Sequence, residues 1–451
     1  MRVAVLGAGI TGLIAALQVK EANLPDVTEV AVLEEKSYPG GLLQTTRHKQ
    51  YWWDNGVFLF RGSNYLNELL PDLFRPLELV QKVWLRGALH EFPLAKDLFW
   101  SQRKTALAWA ACDYIYSYAR TRLGWDGANL HDWLRYRLTN LLLKVSQLEV
   151  YIEKMQGNRP GQLSPLFGEH RLQGIHDMTR PGRLFRIATT SPRQMKRIIM
   201  LRDPDTYPFV GGVGKISEGL AQLCMSKGIT IAYGAELKEL IRRESGLELH
   251  YQHEMSAKTL TAAYVISTVP IEVLAAALNP PMSKRCQNHI RELSYMDLRL
   301  VFLIVNRKVI VHDFFVLYSF EPQYKWKRLL AFSLPDGHTA VTVEIAYRSG
   351  TGKGLDGIDS EVVRQLTEDL KLFEPSEVLE QHTTTVQRAY PIYRLGFEKK
   401  LKEIISELES ERLRLAGRQG RFIYVTTPGA VGSGIEQANK VLSSIRRGRN
   451  A

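Results

Sequence analysis

Cysteine is scarce. The three present, Cys112, Cys224 and Cys286, are odd in number and far apart, which excludes a disulfide framework and a cysteine-based metal cluster. A reducing compartment suits such a chain. The 11 histidines are scattered. His250 and His253 sit close together, but on an expected strand, so no metal site is expected. No Ser-His-Asp arrangement is convincing, so no catalytic acid or base is assigned. No uncharged apolar run approaches the ~20 residues that span a bilayer. The opening Met-Arg-Val-Ala-Val-Leu-Gly lacks the apolar core and cleavage site of a signal peptide. The expectation is a cytoplasmic protein. Acids are fewer than bases, 47 against 59, giving a net charge of +12. That balance suits an anionic small-molecule substrate or a peripheral contact with a membrane surface. Zinc-finger spacing and basic-helix heptads are both missing, so nucleic acid is not an expected partner. Nothing in the sequence sets an oligomeric state.

What is present begins at the first residues. Arg2 to Leu6 reads as a short buried strand, Thr11 to Ala22 as a helix and Thr28 to Leu33 as a second strand. Strand, turn, helix and strand within so short a stretch form a βαβ unit, which implies a parallel sheet. The turn is Gly7-Ala8-Gly9-Ile10-Thr11-Gly12, a G-x-G-x-x-G. Gly7 permits the tight turn, Gly9 lets backbone approach a pyrophosphate, and Gly12 lets the helix pack close to the strand. The helix start offers N–H groups and a positive dipole end to phosphates. Glu34 follows Gly12 by 22 residues, where an acid accepts hydrogen bonds from ribose hydroxyls. A dinucleotide is therefore the expected ligand.

The rest of the chain suggests two domains. The stretch from about Trp84 to Met155 reads as mostly helical. A glycine turn and helix follow at Gly211 to Lys227. Strands are expected at Ile229–Ala232, Ala263–Val269, Leu298–Val305, Ala340–Ile345 and Phe422–Thr426, and helices at Lys399–Arg414 and Gly434–Arg446. This gives an α/β fold with a discontinuous Rossmann-like domain formed by residues 1–75, 205–275 and 385–451. A second, α+β substrate domain takes residues 76–204 and 276–384, part helical and part sheet.

Several segments resemble the FAD-dependent amine oxidase and protoporphyrinogen oxidase superfamily. Val32-Leu33-Glu34-Glu35-Lys36-Ser37-Tyr38-Pro39-Gly40-Gly41 resembles its second-strand motif with a Gly-Gly pair, and Trp53-Asp54-Asn55-Gly56 its Asp-x-Gly segment. Phe92-Pro93-Leu94, Pro208-Phe209-Val210-Gly211-Gly212-Val213-Gly214, Ser267-Thr268-Val269-Pro270 and Ala389-Tyr390-Pro391-Ile392-Tyr393 resemble a bacterial branch with UDP-galactopyranose mutase-like proteins. Gly417-Arg418-Gln419-Gly420-Arg421-Phe422 is similar to a C-terminal signature of that branch. The resemblance implies FAD as cofactor, a GR2-type flavoprotein fold, and cofactor contacts at Gly7, Gly9, Ile10, Thr11, Gly12, Glu34, Gly40, Gly41, Leu42, Gly56 and Leu237. It also implies contacts at Gly434 and Ile435, where Gly432-Ser433-Gly434-Ile435-Glu436 resembles the start of a flavin-binding helix. Leu42 stands where the family has an arginine, which implies either weaker FAD binding or a pyrophosphate charge left to Arg47. Thr426-Thr427-Pro428 stands where a C-terminal acid is common.

Substrate candidates are Arg328, Arg388, Tyr390 and Tyr393. The arginines could hold a carboxylate or phosphate, and the tyrosines could wall a cavity. Arg328 ends the basic aromatic run Tyr324-Lys325-Trp326-Lys327, whose bland reading is a solvated hairpin edge. Arg180, Arg183, Arg186, Arg193, Lys196 and Arg197 form the densest basic stretch, readable as a gate for an anionic substrate, a contact with acidic lipid or a solvated loop. Ala106 to Tyr118, flanked by Arg103-Lys104 and Arg120–Arg122, has the composition of an interfacial helix. Asp113 interrupts it, and a core helix of the second domain is the preferred reading. The functional expectation is an FAD-dependent oxidoreductase acting on an unidentified small molecule. The alternatives are a non-redox isomerase acting on a nucleotide sugar, or a degenerate flavoprotein scaffold with a binding role.

Overall fold

The computed structural model describes residues 1–449 apart from 57, 62–63, 125–126, 173, 175–204, 209–210, 307–313, 335 and 353–354. The basic stretch from Arg180 to Arg197 lies outside the described residues.

Strand β1 (Arg2–Leu6), helix α1 (Ile10–Glu21) and strand β2 (Glu29–Glu34) form the expected βαβ unit. They belong to a five-stranded parallel sheet ordered Thr230–Tyr233, β2, β1, Tyr264–Ser267, Leu413–Leu415. Its central strands are Val- and Ala-rich and buried on both faces, as parallel sheets require. The fold class is as expected, a Rossmann-like sheet with a second, mixed unit.

Two C-terminal elements differ from expectation. The helix begun at Phe397 stops at Leu408, and Leu413–Leu415 forms the sheet's edge strand. Ser410 sets the break, its hydroxyl accepting from the Arg412 and Leu413 N–H groups at 3.3 and 3.0 Å, a local bond that competes with helix continuation. Phe422–Thr426 is not a strand. Phe422 has φ of 51°, outside the extended region.

The final helix runs Thr427–Arg449, not from Gly434. Pro428 suits a first helical turn, whereas Gly429, Gly432 and Gly434 disguise the helix because glycine is a weak helix former. Gly434 lies inside the helix. A Cβ there would meet the Thr11 carbonyl oxygen at 2.6 Å, so the residue lets the C-terminal helix pack against α1. Gly434→Val should therefore force these helices apart and lower stability by about 1–3 kcal/mol, read from urea unfolding. An unchanged midpoint would contradict this packing role.

The second sheet has seven strands in the order Val378–Pro391, Tyr295–Val305, Thr339–Arg348, Arg328–Ser333, Phe314–Ser319, Leu79–Leu85, Ala88–Glu91. It is antiparallel except between Phe314–Ser319 and Leu79–Leu85. The expected helical stretch thus begins as a hairpin. Arg86 and Gly87 both have positive φ, 55° and 70°, the geometry of a two-residue hairpin turn. Helices follow, including Lys104–Arg122 and Leu148–Gln156. Lys104–Arg122 is not the expected core helix: within it only Ala110 and Ser117 are fully buried.

Candidate functional site

The glycine turn has the shape its sequence demands. Gly7 has φ of 98°, and a Cβ there would meet Thr268 Oγ1 at 2.4 Å. A Cβ on Gly12 would fall 2.0 Å from the Gly7 carbonyl oxygen. Both glycines are requirements of the fold. Gly9 is different. It caps α1 with φ −71° and ψ 169°, a conformation open to any residue, and an added Cβ would meet only the Gly41 Cα at 3.9 Å. Nothing in the protein's own packing demands glycine at this position, whereas close approach of a pyrophosphate to the helix start does.

Glu34 closes this end. Its carboxylate accepts the Ala8 N–H at 2.7 Å and the Lys36 N–H at 3.0 Å. Burial pushes its pKa up, against those two hydrogen bonds. The Gly40 N–H donates to the Ala8 carbonyl at 3.0 Å, so the Gly40-Gly41 pair lies across the glycine turn. Leu42 follows, half-buried. Leu237 sits on Ala235–Arg243, just beyond the edge strand that pairs Tyr233 with Glu34. Thr11 is buried, its hydroxyl donating to the Ala430 carbonyl at 3.1 Å, and Ile10 packs at the core margin. Gly434 and Ile435 lie within the C-terminal helix, so the N–H groups of its start belong to the turn beginning at Thr427. Arg47 turns toward the Gly211 carbonyl, with Nη2 at 3.4 Å.

Asp54 links this end to the rest of the site. Fully buried, it accepts from the Thr45 hydroxyl at 2.7 Å, the Val213 N–H at 2.9 Å and the Tyr207 hydroxyl. Burial pushes its pKa up to about 7 against the Thr45 and Val213 bonds. Two residues on, Gly56 has φ of 148°, and a Cβ there would stand 3.4 Å from Glu344 Oε1.

Glu344 is the centre of a buried ionic cluster. It accepts from Lys327 Nζ and from Arg328, whose Nη2 lies at 3.0 Å from Oε1. Burial alone would push its pKa up, but the Arg328 and Lys327 charges prevail and hold it at about 2. Lys327 Nζ also donates to the Tyr390 hydroxyl at 3.0 Å. Burial, then the Arg328 charge, lowers Lys327 to about 8. Two further cations face the same tyrosines. The Arg418 guanidinium lies 5.8 Å from the Tyr390 ring centre and 5.2 Å from that of Tyr424. Arg171 lies 5.7 Å from Tyr424. Arg418 donates to the Ala389 and Val425 carbonyls, and burial lowers its pKa. Among the described residues, four cationic heads thus surround Tyr390 and Tyr424, with Glu344 as the carboxylate bonded to two of them.

Of the four substrate candidates, three come together here. Arg328 and Tyr390 belong to the cluster. Tyr393 borders it, its hydroxyl accepting the Tyr424 N–H at 2.7 Å. Arg388 does not join them: its Nε pairs with Glu272 at 2.6 Å and its N–H with Asp297 at 2.7 Å. The odd register of the strand explains this, since Arg388 has φ of 51° and a bulge separates the Met296 and Leu298 pairings. The run ending at Lys327 is not a solvated hairpin edge, for Trp326 and Lys327 are buried. Sequence reasoning missed Lys327, Glu344, Arg171 and Arg418 as site residues. The one available signal was Arg418 inside the C-terminal signature.

Among the described residues, no helix is long and apolar enough to cross a membrane. The sequence model of the family described as flavin containing amine oxidoreductase matches residues 10–442. None of the curated proteins matches significantly. Solved structures that share the fold include the following three. A reduced UDP-galactopyranose mutase is 17% identical with a TM-score of 0.77, over 98% of this chain and 94% of its own. A candidate protoporphyrinogen oxidase from Exiguobacterium sp. 255-15 is 18% identical with a TM-score of 0.71, over 98% of both chains. A redesigned putrescine oxidase is 13% identical with a TM-score of 0.68, over 98% of this chain and 99% of its own.

Proposed function

The chain belongs to the flavin containing amine oxidoreductase family, whose cofactor is FAD, and from that premise we propose that it is an FAD-dependent oxidoreductase acting on an anionic small molecule. The observation that carries the substrate class is the group of cations around Tyr390 and Tyr424. Guanidinium groups placed in a buried site bind carboxylates and phosphates through paired, charge-assisted hydrogen bonds.

The glycine turn and Gly9 fit a pyrophosphate against the start of α1, and Glu34 fits the ribose hydroxyls. When bound, FAD supplies the hydride-accepting chemistry. The chain's own residues bind and orient the substrate. Arg171 and Arg418 place guanidinium groups beside the Tyr424 ring, and Arg418 also donates to the Ala389 and Val425 carbonyls. Lys327 Nζ, bonded to the Tyr390 hydroxyl, exchanges its proton near neutral pH, since its pKa is about 8. Burial of Tyr390, Tyr393 and Tyr424 excludes water from the same wall.

A pH dependence follows. As pH rises from about 7 to about 9, Lys327 loses its proton and the cluster loses one positive charge. Calorimetric titration of the FAD-loaded protein with inorganic pyrophosphate and with succinate should show at least one anion binding at pH 7. Its affinity should fall by about tenfold at pH 9, or ~1.4 kcal/mol. Arg171→Gln should weaken the same binding and leave FAD absorbance unchanged. Absence of anion binding at every pH would refute the substrate class.

The isomerase reading has one observation in its favour: grouped arginines also suit a nucleotide-sugar diphosphate. The two reactions separate in one assay. An oxidoreductase consumes an electron acceptor in step with substrate. An isomerase converts a nucleotide sugar without net acceptor use.

A further inference from the structure

The helix Lys104–Arg122 is built inside out. Two of its polar residues turn to the protein: Ser117 is buried, and Asp113 accepts the Asn140 N–H at 2.9 Å and the Asn140 side-chain amide at 3.2 Å. Most of its apolar residues face solvent, Ala110 being the buried exception. Ala108, Ala111, Cys112, Ile115 and Ala119 fall at helical spacing on one exposed stripe. Trp109 and Tyr116 flank this stripe, and Leu123 follows the helix. The exposures are 77% for Trp109, 68% for Ile115, 58% for Tyr116 and 77% for Leu123. Trp100, just before the helix, is 60% exposed. A contiguous apolar face of this kind marks an interaction surface rather than ordinary surface scatter.

We propose that this face docks on an anionic lipid bilayer, with the helix lying in the headgroup region parallel to the membrane plane. Charge and residue type select this occupant. Both ends of the stripe are cationic, Arg103 and Lys104 at one and Arg122 at the other, all exposed. Asp113 is the helix's one acid, and it is turned inward on Asn140. Tryptophan and tyrosine favour the membrane interface, where an apolar body and a polar edge are both satisfied. An amphipathic helix with basic flanks adds attraction to acidic headgroups. A second copy of the chain fits less well. Pairing the stripe with itself sets like charges together in either orientation, which costs association free energy.

Co-sedimentation of the full-length, FAD-loaded protein with vesicles tests this. Wild type should pellet with phosphatidylcholine–phosphatidylglycerol vesicles and far less with phosphatidylcholine alone, and high salt should weaken the binding. The double variant Trp109→Glu/Ile115→Glu should lose at least about fivefold of bound protein. Lys104→Glu/Arg122→Glu should lose the preference for the acidic lipid. Met255→Glu, at an exposed position in the turn between the strands Gly246–His253 and Ser256–Ala262, should bind as wild type. The flavin spectrum reports that each variant is folded. Failure of wild type to bind acidic vesicles would overturn the proposal. So would a lipid-free dimer, seen by sedimentation velocity, that the Trp109→Glu/Ile115→Glu pair dissolves.

Discussion

Replacing Glu344 with glutamine is expected to lower the stability of the folded protein by about 3–5 kcal/mol at pH 7. Glutamine keeps the size and one acceptor oxygen, but removes the charge that Lys327 and Arg328 share in a buried setting. Taking one member from a buried ion pair costs more than the pair itself contributes, because the remaining charges keep their desolvation penalty. The pH dependence gives the effect a signature. The folded Glu344 pKa, about 2, lies below the ordinary value of 4.5. Its contribution is therefore present above about 4.5 and is lost as pH falls toward 2. Urea unfolding should show a large gap between wild type and Glu344→Gln at pH 7 and a smaller one near pH 3. Equal stability at pH 7 would mean that the cluster is not held by this charge.

Gly9→Ala should raise the dissociation constant for FAD by at least about tenfold, ~1.4 kcal/mol, while the cofactor-free protein keeps nearly its full stability. The backbone at Gly9 is ordinary, and the added methyl meets only Gly41 at 3.9 Å. Alanine at a helix cap costs about 1 kcal/mol at most in this comparison with glycine. The methyl would instead occupy the space a pyrophosphate needs. Gly12→Ala cannot make this distinction, because its Cβ would strike the Gly7 carbonyl and disturb the turn itself. Wild-type FAD affinity in Gly9→Ala would remove the pyrophosphate from this turn.

The contrast between the two variants tracks what the sequence could say. The N-terminal unit was legible because its constraints are local. Gly7, Gly9 and Gly12 act within six residues, and strand, turn and helix follow in order. The ionic cluster was not legible. Glu344 lies inside the strand Thr339–Arg348 and meets Arg328 only through cross-strand register. Arg171 and Arg418 approach the same tyrosines from distant parts of the chain. Composition misled at the helix Lys104–Arg122. Apolar content implied burial, but which face a neighbouring element covers is a tertiary fact. The C-terminal helix was mislaid for a related reason: Gly434 serves the contact with α1, against its own weak helix propensity.

The most direct test of FAD binding is the visible absorption spectrum of the purified protein, recorded before and after FAD is added and the excess is removed by filtration. Flavin bands should stay with the protein in one-to-one proportion and be lost or weakened in Gly9→Ala. A folded protein that remains colourless after exposure to FAD would contradict the cofactor assignment and the oxidoreductase proposal built on it.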